Sequence, residues 1–189
     1  LVFSGAFPAA RADTVDQSVR SGCHSVDAAM QLSDGGKLVE TSKAVIIYEL
    51  TSDTMIYTWN PDDRIYPASM VKLMTALVAL ENGQLTDQVT VTKRARNNVA
   101  IGSVSAGLVA GEELTLEALL YSMMAASAND AAVVIAEHIG GTQDNFIKMM
   151  NERAAALGCT GTNYTNAHGL HDEQNYTTAR DVCRLLVTA

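Results

Sequence analysis

Hydrophobic and polar residues first alternate with the short period of β-strands and then with the longer period of helices. Two β-branched and aromatic runs, "KAVIIYEL" and "TMIYTWN", flank the turn residues Thr51–Asp53, a pattern typical of a β-hairpin. From Ser69 to Asn82 the apolar residues follow the spacing of one helix face, and Gly83 marks its end. The pattern predicts two strands followed by a helix.

Beyond Gly111 the pattern is mainly helical. The segments "LTLEALLYSMM", "NDAAVVIAEHIGG" and "TQDNFIKMMNERAAALG" each carry an apolar helix face, and Gly140-Gly141 and Gly158 are suitable helix ends. A last helix opens near Thr177-Thr178 and meets no stop signal. We therefore expect a helical body and a hairpin, with further strands of the sheet lying beyond residue 189.

The first 42 residues differ from the rest of the chain. "LVFSGAFPAARAD" is a short apolar stretch that ends in small residues, and Ala10-Arg11-Ala12 has the A-x-A form of an export cleavage signal. An ordinary apolar N-terminal segment is the alternative interpretation. We expect residues 1–42 to be an export-signal remnant with an irregular segment, and residues 43–189 to form one domain that is incomplete at its C-terminus.

Composition excludes several classes of function. The 189 residues are 48% hydrophobic with a net charge of −8, so the chain can form a sizeable core but lacks a basic surface for nucleic acid. The three cysteines show no C-x-x-C spacing, and the four histidines show no metal-binding pattern. We expect buried thiols, no metal and no cofactor.

Ser69-x-x-Lys72 at the start of the predicted helix is the first candidate for chemistry. The spacing puts a hydroxyl and an amine about one turn apart on the same helix face. A serine hydroxyl needs a base, and a lysine serves as one only if burial lowers its pKa. The alternative is structural: Ser69 caps the helix and Lys72 extends into water.

Ser127-Ala128-Asn129 is the second candidate and lies in a short break between two predicted helices. A hydroxyl and an amide held there could relay a proton and grip a substrate carbonyl. The alternative is a capping box, in which Ser127 and Asp130 start the second helix.

Four segments carry a family resemblance: "YPASMVKLMTALVALENG", "AGLVAGEELTLEALLYSMMAASANDAAVVIAEHIGG", "FIKMMNERAAALG" and "NAHGLHDEQNYTTARDV". Together they resemble the low-molecular-mass penicillin-binding proteins, the serine-type D-alanyl-D-alanine carboxypeptidases, over residues 43–189. The resemblance implies the serine β-lactamase-like α/β (α+β) fold, with a helical body against part of an antiparallel sheet. These enzymes share S-x-x-K, a second serine-asparagine motif and K-T-G.

The resemblance assigns a role to each matching residue. Ser69 would be the acylated nucleophile, Lys72 its base, Ser127 part of the proton relay, and Asn129 the substrate-orienting residue. The Ser69 backbone N–H would supply half of an oxyanion hole. His168-Gly169 matches a family turn beside the site, whereas His138 is read as a helix C-terminal residue.

Two positions depart from the family pattern. Ala128 replaces the common glycine of the second motif, and no K-T-G or K-S-G occurs in the chain. That third motif supplies an oxyanion N–H in the family, and losing one such donor costs about 10²–10³ in rate. We expect the chain as it stands to be a poor enzyme and the missing strands to lie beyond residue 189. The alternative is a naturally shortened, inactive relative.

The resemblance implies removal of the terminal D-alanine from peptidoglycan stem peptides outside the cytoplasm, with β-lactams acylating the same serine. Membrane contact would come only through a segment absent from this chain. One alternative is a β-lactamase-like hydrolase, which needs a further base for deacylation; no convincing Glu-x-x-Leu-Asn segment follows Asn129, since Glu152 lies in a plain predicted helix and Glu173 in a loop. The other alternative is a non-catalytic domain that binds peptidoglycan or senses β-lactams.

Overall fold

A computed structural model describes residues 42–97 and 102–188; for residues 96 and 97 it describes the backbone alone. The predicted export-signal remnant and Cys23 lie outside these ranges. The strands are β1 (Val45–Glu49), β2 (Thr54–Trp59), β3 (Gln88–Thr90) and β4 (Glu113–Thr115). The α-helices are α1 (Val71–Asn82), α2 (Lys93–Asn97), α3 (Leu116–Ala126), α4 (Asn129–Gly140), α5 (Gln143–Ala156) and α6 (Ala179–Thr188).

The predicted hairpin is confirmed. Strands β1 and β2 pair antiparallel from Val45 with Trp59 to Glu49 with Thr54. Met55 and Tyr57 alternate with exposed residues along β2 and are 1% and 4% exposed, as a half-buried strand requires. One face of the hairpin therefore joins the core.

A second antiparallel pair, β3 with β4, was not predicted, so the expectation of two strands is wrong for the described residues. Each of these strands has three residues, and Val89 is the buried residue of β3. A period-2 pattern needs about four to eight residues to be recognised. The pair is held by tertiary contacts that leave almost no trace in the sequence.

The predicted helices are confirmed, with local differences at their ends. A short 3-10 helix, Ala68–Met70, precedes α1, so the α-helix begins after Ser69. Thr115 and Thr142 accept hydrogen bonds from backbone N–H groups and cap α3 and α5. Gly141, with φ +70°, ends α4 as predicted.

Helix α4 lies at the centre of the helical body. Its residues 131–136 are at most 2% exposed, and it packs against α1, α3 and α5. A helix that is apolar on every side is stable only when it is surrounded. Its first residue, Asn129, is therefore held in a rigid frame.

The two cysteines within the described part, Cys159 and Cys183, are buried, as predicted. No helix in residues 42–97 and 102–188 has both the length and the apolar character needed to cross a membrane.

Candidate active site

Ser69 lies in the 3-10 turn and Lys72 in the first turn of α1. The helix caps found here, Pro67 and Met70, make no side-chain cap hydrogen bond. The structural alternative, in which Ser69 caps the helix, is therefore wrong. The preceding residue, Ala68, has φ +48°, an unfavourable backbone conformation for a side-chain-bearing residue, and such strain is found at functional sites.

Lys72 is buried instead of extending into water. It is 3% exposed, and its Nζ donates hydrogen bonds to Asn129 Oδ1 at 2.8 Å and to the carbonyl oxygen of His168 at 2.7 Å. Among the ion pairs of the described residues, none includes Lys72. Burial therefore lowers the pKa of Lys72, because a desolvated ammonium without a counterion is disfavoured.

Ser127 joins α3 to α4 and contacts Ser69. Its backbone is left-handed, with φ +56° and ψ +32°, and its hydroxyl donates a hydrogen bond to Ser69 Oγ at 2.9 Å. The residue at the start of α4 is Ala128, and it makes no side-chain cap. The capping-box alternative is therefore wrong, and the left-handed residue aims the Ser127 hydroxyl at Ser69.

Ala128, the departure from the family's glycine, fits its position. It is fully buried, and its φ of −66° and ψ of +119° are ordinary extended values. Because no left-handed conformation is needed there, an alanine side chain introduces no backbone strain.

The turn containing His168 and Gly169 lies against the start of the 3-10 helix. Asn166 Oδ1 accepts the backbone N–H of Gly169 at 2.6 Å, and Thr75 Oγ1 donates to the Ala167 carbonyl at 2.7 Å. Gly169 has φ +87°, and a Cβ placed on it would lie 1.9 Å from the Ala68 carbonyl oxygen. Only glycine allows this close approach.

His168 contacts Lys72 through its backbone carbonyl. Burial, together with the charge of Lys72, lowers the pKa of His168 to about 4. Its Nδ1 accepts the backbone N–H of Leu170 at 3.1 Å, which fits a neutral ring. The sequence carried no signal for the contact between the His168 carbonyl and Lys72, because every residue has a carbonyl.

His138 lies away from this cluster. It is nine residues after Asn129 in α4, about 14 Å along the helix axis. Its Nε2 is 3.3 Å from Asp87 Oδ2. His138 therefore lies in the last turn of α4, as predicted from the sequence.

A cleft of about 450 Å³ opens beside the two serines. Its walls include Tyr66, Ser69, Gly102, Ser103, Val104, Ser127, Asn129, His168, Gly169, Leu170, His171 and Asn175. The four residues singled out in the sequence thus come together: Ser69, Ser127 and Asn129 line the cleft, and Lys72 lies beneath them, bonded to Asn129. Three or more His, Cys, Asp or Glu side chains do not converge at any point of the described chain in a way that could hold a metal ion.

This protein has a hairpin beside a helical body, and a serine, a buried lysine and a second serine meet at one cleft. Such an arrangement is typical of the penicillin-binding-protein fold. The family model for D-alanyl-D-alanine carboxypeptidase, peptidase family S11, matches residues 33–189, and the chain belongs to this family. The predicted fold class and the resemblance are confirmed.

Individual relatives agree with this assignment. The chain is 34% identical over 151 residues to the D-alanyl-D-alanine carboxypeptidase DacF of Bacillus subtilis, covering 77% of this chain and 38% of that protein. It is similar to the crystal structure of the D-alanyl-D-alanine carboxypeptidase DacD from Francisella tularensis, with a TM-score of 0.74, 29% identity and coverage of 81% and 38%. Penicillin binding protein 5 from Haemophilus influenzae gives a TM-score of 0.73 and 31% identity, with coverage of 80% and 46%. The chain thus spans less than half of the length of each of these relatives.

Proposed function

We propose that this chain carries the nucleophile half of a serine-type D-alanyl-D-alanine carboxypeptidase. The observation that carries the proposal is the buried Lys72, which lies one turn from Ser69 and donates to neutral oxygens of Asn129 and His168. Such a lysine has the lowered pKa that a base requires. The family relationship supports the same assignment.

We propose that Lys72 acts as a neutral amine when it accepts the proton of Ser69. A neutral amine has two N–H donors and one lone pair, whereas an ammonium has three donors and no acceptor. Asn129 Oδ1 and the His168 carbonyl occupy two donors. The lone pair is then available to take the proton of Ser69.

The proposed reaction proceeds through an acyl-enzyme. Ser69 Oγ attacks the carbonyl carbon of the terminal D-Ala-D-Ala peptide bond as its proton passes to Lys72, and the C–N bond then breaks. The departing amine of D-alanine takes a proton through Ser127, whose hydroxyl contacts Ser69 at 2.9 Å. Water then hydrolyses the ester and releases the shortened peptide.

The backbone N–H of Ser69 is the proposed oxyanion donor. It belongs to the Ala68–Ser69 peptide unit against which Gly169 packs. A fixed N–H aimed at the developing charge lowers the barrier without reorganisation. We propose that Asn129 holds the substrate beside this donor with its amide.

Peptidoglycan stem peptides are the proposed substrates, and β-lactams the proposed inhibitors that acylate Ser69. Since the cell wall lies outside the cytoplasm, we also propose that the protein is exported. Residues 43–189 are proposed to form the part of the carboxypeptidase-like domain that carries the nucleophile, its lysine and the second serine.

A β-lactamase-like activity has less support. It requires a base that activates the deacylating water, and neither glutamate considered for this role lines the cleft. Glu152 is an exposed residue of α5, 3.7 Å from Lys148, and Glu173 is exposed in a loop.

The test is intact-protein mass spectrometry after treatment with a fluorescent penicillin. The 189-residue chain and a form extended at its C-terminus are compared, each with Ser69→Ala and with Ser122→Ala, a control serine on α3. One adduct that Ser69→Ala abolishes and Ser122→Ala retains would support the proposal. No adduct on either form would refute the nucleophile assignment, and retained peptidoglycan binding would then favour the non-catalytic alternative.

A further inference from the structure

A loop of the cleft wall is held by a buried carboxylate that the proposed reaction does not use. Asp130 follows Asn129 in the first turn of α4 and is 1% exposed. Its carboxylate accepts hydrogen bonds from the Ser105 hydroxyl at 2.6 Å and from the backbone N–H groups of Ala106 at 2.8 Å and Leu108 at 3.0 Å. One side chain therefore sets the path of the loop over four residues.

The carboxylate remains ionised at this buried position. Burial acts to raise the pKa of Asp130, but the three loop contacts and a fourth bond from the Ala131 N–H at 3.0 Å outweigh it and hold the pKa below its ordinary value. The first turn of a helix also favours negative charge. Within the described ranges the ion pairs do not include Asp130. Hydrogen bonds from the loop and the helix start replace a counterion.

The same loop forms part of the cleft. The backbone N–H of Asn129 donates to the carbonyl oxygen of Val104 at 2.9 Å, so two successive residues of α4 hold the loop. Val104 is a 56% exposed apolar residue, and it lines the cleft together with Ser69. A substrate gripped by the Asn129 amide would therefore lie next to Val104.

We propose that Val104 is a specificity-determining contact and that Asp130 is the residue that positions it. Asp130 holds the loop so that the Val104 side chain meets an apolar group on the acyl part of the molecule transferred to Ser69. This inference rests on the proposed acyl transfer. It assigns selectivity to a wall of the cleft that takes no part in proton transfer.

The test compares acylation rates for two β-lactams in whichever form of the protein, the 189-residue chain or its C-terminal extension, is acylated. Benzylpenicillin carries an apolar acyl side chain, and the aminopenicillanic acid nucleus lacks it. Asp130→Asn should lower the rate ratio between them by up to about tenfold, because it acts on selectivity through the contact that Val104 makes. Val104→Ala should lower it about tenfold, the scale of one apolar contact.

Two matched variants separate selectivity from stability. Asp181→Asn removes a carboxylate that is 3% exposed in the first turn of α6 and that accepts the loop N–H of Gly161 at 2.8 Å, away from the cleft lining. Val109→Ala truncates a 64% exposed valine outside that lining. Both controls should leave the rate ratio unchanged, although Asp181→Asn should lower stability.

An unchanged ratio in Val104→Ala and Asp130→Asn, with the parent acylated at Ser69, would overturn this inference and leave the proposed function standing. Should Asp130→Asn fail to fold, the exposed Val104→Ala decides the result. A parent that neither compound acylates would overturn the proposed function, and the inference would fall with it.

Discussion

Replacing Gly169 by alanine should displace the peptide unit that carries the Ser69 N–H. The added Cβ would lie 1.9 Å from the Ala68 carbonyl oxygen, 2.4 Å from the Ala68 carbonyl carbon and 3.1 Å from the Ser69 nitrogen. Real Cβ contacts essentially never fall below 3.0 Å. Because all three contacts are backbone atoms, the turn and the peptide unit must move apart by about 1 Å, a displacement that can reduce an enzymatic rate about a hundredfold.

The stability cost has two sources. An alanine at φ +87° adopts the left-handed region at a cost of about 1–2 kcal/mol, and forcing an extra methyl group into a packed site costs about 1–3 kcal/mol. Together they predict a loss of about 2–5 kcal/mol in the free energy of unfolding.

Gly158→Ala is the matched control. Gly158 has φ +73°, but a Cβ placed there would meet nothing within 4 Å. It should lose only the backbone contribution, about 1–2 kcal/mol, and retain normal acylation. Chemical denaturation gives the unfolding free energies, and the rate of penicillin acylation gives the functional effect.

A Gly169→Ala variant that is no less stable than Gly158→Ala and is acylated at the parental rate would refute this prediction. A loss of stability with a normal acylation rate would show that Gly169 serves the fold and does not set the position of Ser69.

Three further outcomes follow from the contacts of the site. In Ser69→Ala, acylation should disappear, while the unfolding free energy should change by no more than about 0.5 kcal/mol, since Ser69 caps no helix; a loss near 2 kcal/mol by denaturation would contradict this. The lowered pKa of Lys72 means that the folded state holds fewer protons than the unfolded state between that pKa and about 10.4. The stability of the parent relative to Lys72→Met should therefore rise with pH through this window, reach its full value above about 10.4 and level off at its lowest value below the lowered pKa. A flat difference between the denaturation curves would contradict it. Since His168 has a pKa of about 4, this residue should give the acylation rate profile no inflection near 6.5. His168→Asn, which keeps the carbonyl, should therefore leave the shape of the profile unchanged between pH 5.5 and 7.5, roughly one unit either side of that value.

Most of the secondary structure could be predicted because local patterns determine it. The hairpin strands have enough alternating residues, and the helices have long apolar faces and recognisable ends. The pair β3 and β4 could not be predicted, since three residues are too few for a period to appear. The 3-10 start of α1 was missed for a similar reason: helix ends depend on packing as much as on propensity.

The candidate site was only partly readable from the sequence. Spacing placed Ser69 and Lys72 on one helix face, but the same spacing suited a capping serine and a solvated lysine. The burial of Lys72 and its two neutral acceptors distinguish a candidate base from a solvated lysine. These acceptors belong to residues 57 and 96 positions away in the chain. Asp130 was interpreted as part of a cap, whereas its carboxylate binds a loop 22–25 residues earlier in the chain.

The amino-acid sequence by itself thus determined the helix and strand patterns and the family resemblance of this protein, because these depend on residues that are neighbours in the chain. Tertiary structure alone decided that Lys72 is desolvated, that Ser127 meets Ser69, and that Gly169 packs on the Ala68–Ser69 peptide unit. The physical reason is that a pKa, a hydrogen bond between distant side chains and a steric contact all depend on which atoms share a volume. That volume is created only when α4 is enclosed by the helices around it.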